Sequence, residues 1–407
     1  MSFLIGAMKL IFFLFILNCT SLMAAKELTL GGQMTIIYQT SSISEHTSGA
    51  ATFSGDLFIS RELEQGSIFL DLQYARGAGV DAAQFGGAMV NNDVMQDPEH
   101  PEQPYLAKLF YERKFSLKKE HDLTLHIGKF GVNDYFDLSP YADDQTILFL
   151  NQAINNSGAF DYAQDLKGHG YTYGWHAEDQ YKEWSIDLGH FSANGDLDQI
   201  NNQFSLLYGL KWRPKGKGEL HDLFQVFAFI NKGEYGSFDH QGDFLTSDKE
   251  RINTKENKDR NDKKGVIVNL NYSLSRQVHL FAKFGQQDDN RDVRHYQDMD
   301  RSTVIGLLID APFKRRPLDA LGFALERGEL TGNHRKAHER GYQSFFNRSS
   351  GIGSGNYKPE TVAECFYRYQ WDPHFQISLD YQWIHHFNYD RNRADAHFVG
   401  SRLHLDF

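Results

Sequence analysis

Segments of strict period-two alternation recur along almost the whole chain, and no other feature narrows its possible folds so far. Leu123, Leu125 and Ile127 alternate with Asp122, Thr124, His126 and Gly128. Val266, Val268, Leu270 and Tyr272 alternate with Asn269, Asn271 and Ser273. Phe375, Ile377, Leu379, Tyr381 and Trp383 alternate with Gln376, Ser378, Asp380 and Gln382. Ile68, Leu70, Leu72 and Tyr74 keep the same rhythm, with Phe69 out of phase. Successive side chains of a strand point to opposite faces, so each segment makes a ribbon with one apolar and one polar face.

Alternation alone leaves two architectures open. In a water-soluble sandwich the apolar face is the core; in a membrane barrel it meets lipid and the polar face lines the lumen. The connections separate them. The pattern predicts strands near 28–40, 54–63, 66–75, 104–115, 121–130, 170–177, 183–192, 202–213, 220–232, 265–274, 277–286, 301–311, 319–329, 361–371, 374–384 and 396–407. That is sixteen, and single-chain bacterial barrels use even numbers. Every even gap is short, as at Glu64-Gln65, Ser275-Arg276 and Asp372-Pro373, and every odd gap is longer, as at 131–169 and 330–360. Short periplasmic turns alternating with longer outer loops belong to a barrel, and a sandwich has no reason for them. The expected fold is all-β: a transmembrane antiparallel β-barrel of about sixteen strands.

Both ends agree. Lys9 followed by the apolar run Leu10 to Leu17, then Ala24-Ala25 before Lys26-Glu27, reads as an export signal over residues 1–25, with Met1 or Met8 as the start. The apolar stretch is about half of the roughly 20 residues a spanning helix needs. Residues 26–407 would then form the barrel. The last segment alternates Leu403, Leu405 and Phe407 with Arg402, His404 and Asp406, resembling the aromatic terminal signal read by the barrel-assembly machinery. Composition fits: 32 Phe and 20 Tyr, for lipid-facing strands, coexist with a low mean hydropathy of −0.53. A net charge of −11 argues against nucleic acid as a partner. Cys19 leaves with the signal and Cys365 then has no partner in the chain, so no disulfide framework is expected.

The gap after the fifth strand carries the most chemistry. Asp134, Asp137, Asp143, Asp144, Asp161 and Asp165 crowd it, with Lys129 and Asn151 beside them. Ile147, Leu150 and Ile154 share one face at helical spacing, which predicts a short helix over Thr146 to Ile154. The carboxylates lack the regular spacing of a calcium loop, so no metal or cofactor is expected. A constriction rich in hydrogen-bond acceptors is the functional reading, and solvated loop charge the plain one. Strand parity places Asp71, Lys108, His126, Lys283, Glu364, Arg368, Asp380, Gln382 and Arg402 on the inward face. Together they describe an aqueous lumen.

Around this gap runs an ordered string: Gly128-Lys129-Phe130, Asn133-Asp134, Phe136-Asp137, Tyr141, Asp144, Phe149-Leu150-Asn151, Phe160 to Ala163, Asp165, Gly168 and Gly170 to Gly174. A second set lies at Glu364 to Tyr369, Asp380 to Ile384 and Gly400 to Leu403. In these residues the chain resembles the carbohydrate-selective porin family. The resemblance implies a sixteen-stranded barrel passing monosaccharides and similar solutes by facilitated diffusion, its third outer loop folded into the lumen. Two departures bear on the substrate. Where family members often carry Pro-Arg after Asp144, this chain has Gln145-Thr146, and Leu379 and His385-His386-Phe387 replace prolines.

Other functions fare worse. Gly351 to Gly355 sets a serine between glycines without nucleophile-elbow spacing. His334 and His338 lack the glutamate of a zinc-protease helix, and Lys249 to Lys264 reads as a solvated outer loop. The expectation is an outer-membrane porin for small hydrophilic solutes, sugars among them, sitting in outer-membrane lipid, with monomer and homotrimer left open. Its rivals are a general or cation-preferring porin, an outer-membrane enzyme and an adhesion barrel.

Overall fold

The computed structural model describes residues 28–43, 49–77, 79–80, 87–93, 103–165, 170–215, 222–234, 238, 260–291, 297–339 and 356–407. The expected export signal, the Gly351 to Gly355 stretch and most of the 249–264 charge run lie outside them.

Sixteen antiparallel strands close on themselves, each paired with its sequence neighbour and the first with the last. They are β1 (Leu28–Ser41), β2 (Gly49–Leu63), β3 (Gly66–Arg76), β4 (Tyr105–Lys118), β5 (His121–Gly131), β6 (Tyr171–Tyr181), β7 (Trp184–Ser192) and β8 (Phe204–Trp212). The second half holds β9 (Leu223–Glu234), β10 (Arg260–Ser273), β11 (Val278–Gln287), β12 (Arg301–Asp310), β13 (Ala320–Glu329), β14 (Glu360–Asp372), β15 (Phe375–His385) and β16 (Ala396–Asp406). Closure leaves no unpaired edge, which a lipid environment requires because hydrocarbon offers backbone groups no partner.

The alternation sets which face meets lipid. Ile127, Trp175, Leu188, Tyr208, Leu270, Leu379 and Val399 stand exposed on the outside, while their neighbours His126, His176, Asp187, Asn269 and Asp380 are buried inside. Near the short-turn end, outward aromatics form a belt: Trp184 stacks on Trp212 at 5.6 Å and Trp212 on Phe224 at 5.1 Å. Amphipathic rings favour the headgroup level. Glu120 and Lys182 adopt positive φ of 59° and 56°, the twist that tight hairpins between strands require. At Gly128 a Cβ would sit 2.2 Å from the Leu109 carbonyl oxygen, so only glycine lets β4 and β5 approach there.

The structure corrects two boundaries. β2 begins at Gly49, because 49–53 continue the ladder against Ile36 to Thr40, so the first outer loop shrinks to 42–48. It is shorter than the turns 213–222 and 311–319, and the strict long–short rule fails there. β10 begins at Arg260, paired with Glu234, so the end of the charge run is strand rather than loop.

Candidate functional site

The third outer loop, L3, connects β5 to β6 over 132–170, and its described residues pack inside the barrel against inward side chains of distant strands. On β14, the Glu364 carboxyl accepts the backbone N–H of Leu150 at 2.6 Å and of Asn151 at 2.9 Å. On β16, the Arg402 guanidinium donates to the carbonyls of Gln145 and Leu148 at 2.5 and 2.8 Å. Asn151 donates to Gln382 of β15 at 3.1 Å, and Lys283 of β11 donates to the Asn155 carbonyl at 2.5 Å. Asp137 accepts from Ser157 within the loop and from Asn269 of β10 at 2.8 Å. Backbone donors and acceptors in a lumen need such partners, so the wall residues fix the course of the loop.

The loop also buries its own apolar side. Phe136 and Phe160 pack on inward-facing Phe191, Phe227 and Ile267; Phe149 and Ile154 pack among Phe281, Val304, Val362 and Phe366. The lumen face is therefore polar only in part. The expected helix is displaced: besides a 3-10 turn at Val132–Asp134, the described part of L3 forms one α-helical turn, α1 (Gln152–Asn155), capped by Asn151, whose side chain accepts from Ala153 at 3.0 Å. Residues 149–151 lie outside any helix instead, since Glu364 takes two of their N–H groups and Asn92 donates to the Leu150 carbonyl at 2.9 Å. That last contact belongs to the second outer loop, L2, whose 87–93 segment lies against L3 and against Gln382.

Between L3 and strands β2–β5 an open cavity of about 670 Å³ remains. Its acidic lining comes from Asp56 and Asp71 on the wall, Asp93 on L2, Glu112 on β4, and Asp134, Asp143 and Asp144 on L3. Lys108 and His126 are its cationic or titratable bases. Lys108 meets Asp134 at 2.8 Å, and His126 meets Glu112 at 2.8 Å. Asp56 accepts from Gln33 and Gln73 at 2.9 and 2.7 Å, and Asp93 from Ser54 at 2.6 Å. Burial pushes the Asp93 carboxyl up to about 7. Three inward phenylalanines line the same wall: Phe58 and Phe69 at 6.1 Å, Phe69 and Phe110 at 5.3 Å.

All nine residues assigned by parity to the inward face are placed there, but they divide. Asp71, Lys108 and His126 line the cavity; Lys283, Glu364, Gln382 and Arg402 hold L3. Asp380 accepts from Gln382 at 3.3 Å, and Arg368 lies opposite Ser378 and Ala320. Of the loop candidates, Asp134, Asp143 and Asp144 reach the cavity, and Asp137 borders it with its carboxyl engaged inside the loop. Asn151, Asp161 and Asp165 lie away from its lining. Lys129 is a correction: parity with Leu125 and Ile127 turns it outward, where its amine donates to the Leu106 carbonyl at 2.8 Å. The sequence reading missed Asp56, Asp93, Glu112 and the phenylalanine row; Phe69, out of phase in its strand, was the one visible sign of that row.

The outer rim is tied as well. Helix α2 (Gly332–Glu339) places His334, buried, between Asp298 at 3.1 Å and Asp300 at 2.9 Å, with Phe238 stacked 4.4 Å away. Burial opposes its charge, yet Asp300 and Asp298 prevail and hold its imidazolium up to about 10. Among the described residues, no group of His, Cys, Asp or Glu is arranged to hold a metal ion.

The sequence matches the family of carbohydrate-selective porins, OprB family, over residues 59–407. The chain belongs to that family. This porin is 22% identical over 320 residues to the putative porin QuiX of Acinetobacter baylyi, a match covering 71% of this chain and 66%, just under two thirds, of that relative. Its fold superposes on the high-pH structure of Pseudomonas putida OprB with a TM-score of 0.71 at 15% identity, covering 96% of each chain. It superposes on the trimer form of OmpT from Vibrio cholerae at 0.52 and 8% identity, covering 93% of this chain and 99% of that one. Family and fold are those of outer-membrane channels, and the chain is a porin of the bacterial outer membrane.

Proposed function

We propose that this porin passes small hydrophilic solutes, carbohydrates among them, by passive diffusion, that L3 is its constriction, and that the acidic cavity favours cations over anions. The observation that carries the reading is the lining itself. L3 is fixed across the lumen by Glu364, Arg402, Gln382 and Lys283, and the space it leaves carries Asp56, Asp71, Asp93, Glu112, Asp134, Asp143 and Asp144 against Lys108 and His126. Rings of carboxylates at a narrow point select cations, and carboxylate acceptors make strong hydrogen bonds to sugar hydroxyls. Family membership supports the carbohydrate preference. Diffusion requires no nucleophile, base or cofactor, and we assign the chain no chemistry.

The same reading takes residues 1–25 as a removed export signal and 26–407 as the barrel, inserted by the assembly machinery and associated as a homotrimer in lipid. Planar-bilayer conductance of the purified protein, with and without sugars, tests it. Ohmic single-channel steps reduced by added sugar are expected. A closed barrel that conducts nothing would reject the channel reading.

A further inference from the structure

We infer that the cavity beneath L3 holds a binding subsite for a hydroxylated primary amine in its protonated form, an amino sugar being the carbohydrate of that class. The inference rests on the cavity being the solute path, and it goes further by naming the charge of the solute.

Three observations converge on Asp71. First, its side chain is 2% exposed, and among the described residues no donor lies within hydrogen-bond distance of its Oδ1. A buried carboxylate oxygen left without a donor is costly. Lys108 stands directly opposite in the ladder, yet its ammonium turns away to Asp134 at 2.8 Å. The one lysine of the lining is thus spent elsewhere, while Asp56 already takes the amides of Gln33 and Gln73. Second, Asp71 sits within an aromatic wall. Phe58 is its partner across the β2–β3 ladder, Phe69 is two residues away on its own inward face, and Phe110 continues the row on β4. Such rings are out of place on a strand face built for water alone. Third, the remaining lining is rich in carboxylates and poor in free cations.

The chemistry these groups share is specific. An ammonium satisfies a buried carboxylate with a charge-assisted hydrogen bond and is attracted to aromatic faces within about 6 Å. An anion is repelled by the same lining. A neutral sugar stacks on the phenylalanines and donates hydroxyls, but brings no charge to offset Asp71. The volume, about 670 Å³, falls in the roughly 300–1,000 Å³ range of small-molecule sites.

The test compares glucosamine, cationic at neutral pH, with glucose and N-acetylglucosamine on the purified full-length porin. Binding is read by saturation-transfer NMR in detergent, and passage by current block in bilayers. Saturable glucosamine binding about tenfold tighter than glucose is expected, the size of one hydrogen bond to a charged group. Asp71→Asn should erase that ratio. Phe69→Ala should weaken both sugars, and Glu329→Gln at the rim should change neither. Heat-modifiable gel mobility identifies folded barrels, and N-acetylglucosamine, which carries no charge, provides the same comparison on the wild type should Asp71→Asn fail to fold: it should bind no tighter than glucose, and binding as tight as that of glucosamine would overturn the amine subsite. Equal binding of glucosamine and glucose, or a ratio that survives Asp71→Asn, overturns the amine subsite. Glucosamine that binds tightly without blocking current upholds the subsite and rejects the cavity as the solute path. Equal block by both sugars upholds the path and rejects the subsite.

Discussion

Replacing Glu364 by Ala should release the middle of L3 and widen the channel. Glu364 accepts two backbone N–H groups, from Leu150 at 2.6 Å and Asn151 at 2.9 Å, and is buried. Its loss leaves both donors without a partner in a packed interior, at about 1–3 kcal/mol each, or about 2–6 kcal/mol together. Each 1.4 kcal/mol is about a tenfold change in an equilibrium constant, so the attached state should lose at least about twentyfold against detached ones. The barrel ladder itself is untouched, because Glu364 still pairs through its backbone with Ala324 and Gln382. The effect should therefore be local. Single-channel recording should show larger and noisier steps, and liposome swelling should admit larger sugars. Hydrogen exchange at residues 149–152 should accelerate while the strands stay protected. Glu364→Gln keeps one acceptor and should lie between the two. Wild-type conductance together with wild-type exchange in Glu364→Ala would refute the account of how L3 is held.

Three further outcomes follow from other parts of the molecule. The Asp93 carboxyl, raised by burial to about 7, is neutral below that pH and charged above it, so cation preference should grow as pH rises from 6 to 8. Reversal potentials across that window should respond in the wild type, and the part due to this residue should be missing in Asp93→Asn. His334, held up to about 10 by Asp300 and Asp298, stabilises α2 fully below the unfolded value of about 6.5, and that contribution fades as pH rises toward 10. Exchange of α2 amides, corrected for intrinsic rate, should speed up over that range, and His334→Ala should abolish the trend. On the lipid face, Leu379 is 60% exposed, and Leu379→Arg should cost about 2–4 kcal/mol of insertion, measured by folding titration into vesicles. A cost near zero would mean that this face does not meet hydrocarbon.

Much of the barrel was legible because period-two alternation is a local property. The alternation at 123–127, 266–272 and 375–383 fixed both strand position and facing, and every one of the nine inward assignments followed from counting in twos. Failures came where a second packing partner intervened. Phe227 and Phe229 face inward although they are apolar, because L3 covers them with Phe160, at 4.9 and 5.2 Å. Ile147, Leu150 and Ile154 have helical spacing, but the stretch is drawn out against β14 and L2, and the helix starts at Gln152. Lys129 adjoins the acidic segment and so resembles loop chemistry in sequence, but its strand parity sends it outward. The division of inward residues into those that hold the loop and those that face the cavity depends on contacts hundreds of residues apart, such as Arg402 with Gln145, and no local pattern encodes it.

The central claim is that solutes pass between L3 and strands β2–β5 through a field set by loop carboxylates. Reversal potential in a salt gradient, wild type against Asp134→Asn with Asp144→Asn, tests it most directly, since both residues line the cavity and neither anchors the loop to strands β9–β16. Low-dielectric walls strengthen their field, whereas charges beyond roughly 8 Å in open solution are screened at about 0.15 M salt. The account predicts a cation-preferring wild type and a clear shift toward zero in the double variant. An unchanged reversal potential in a folded, conducting double variant would contradict it.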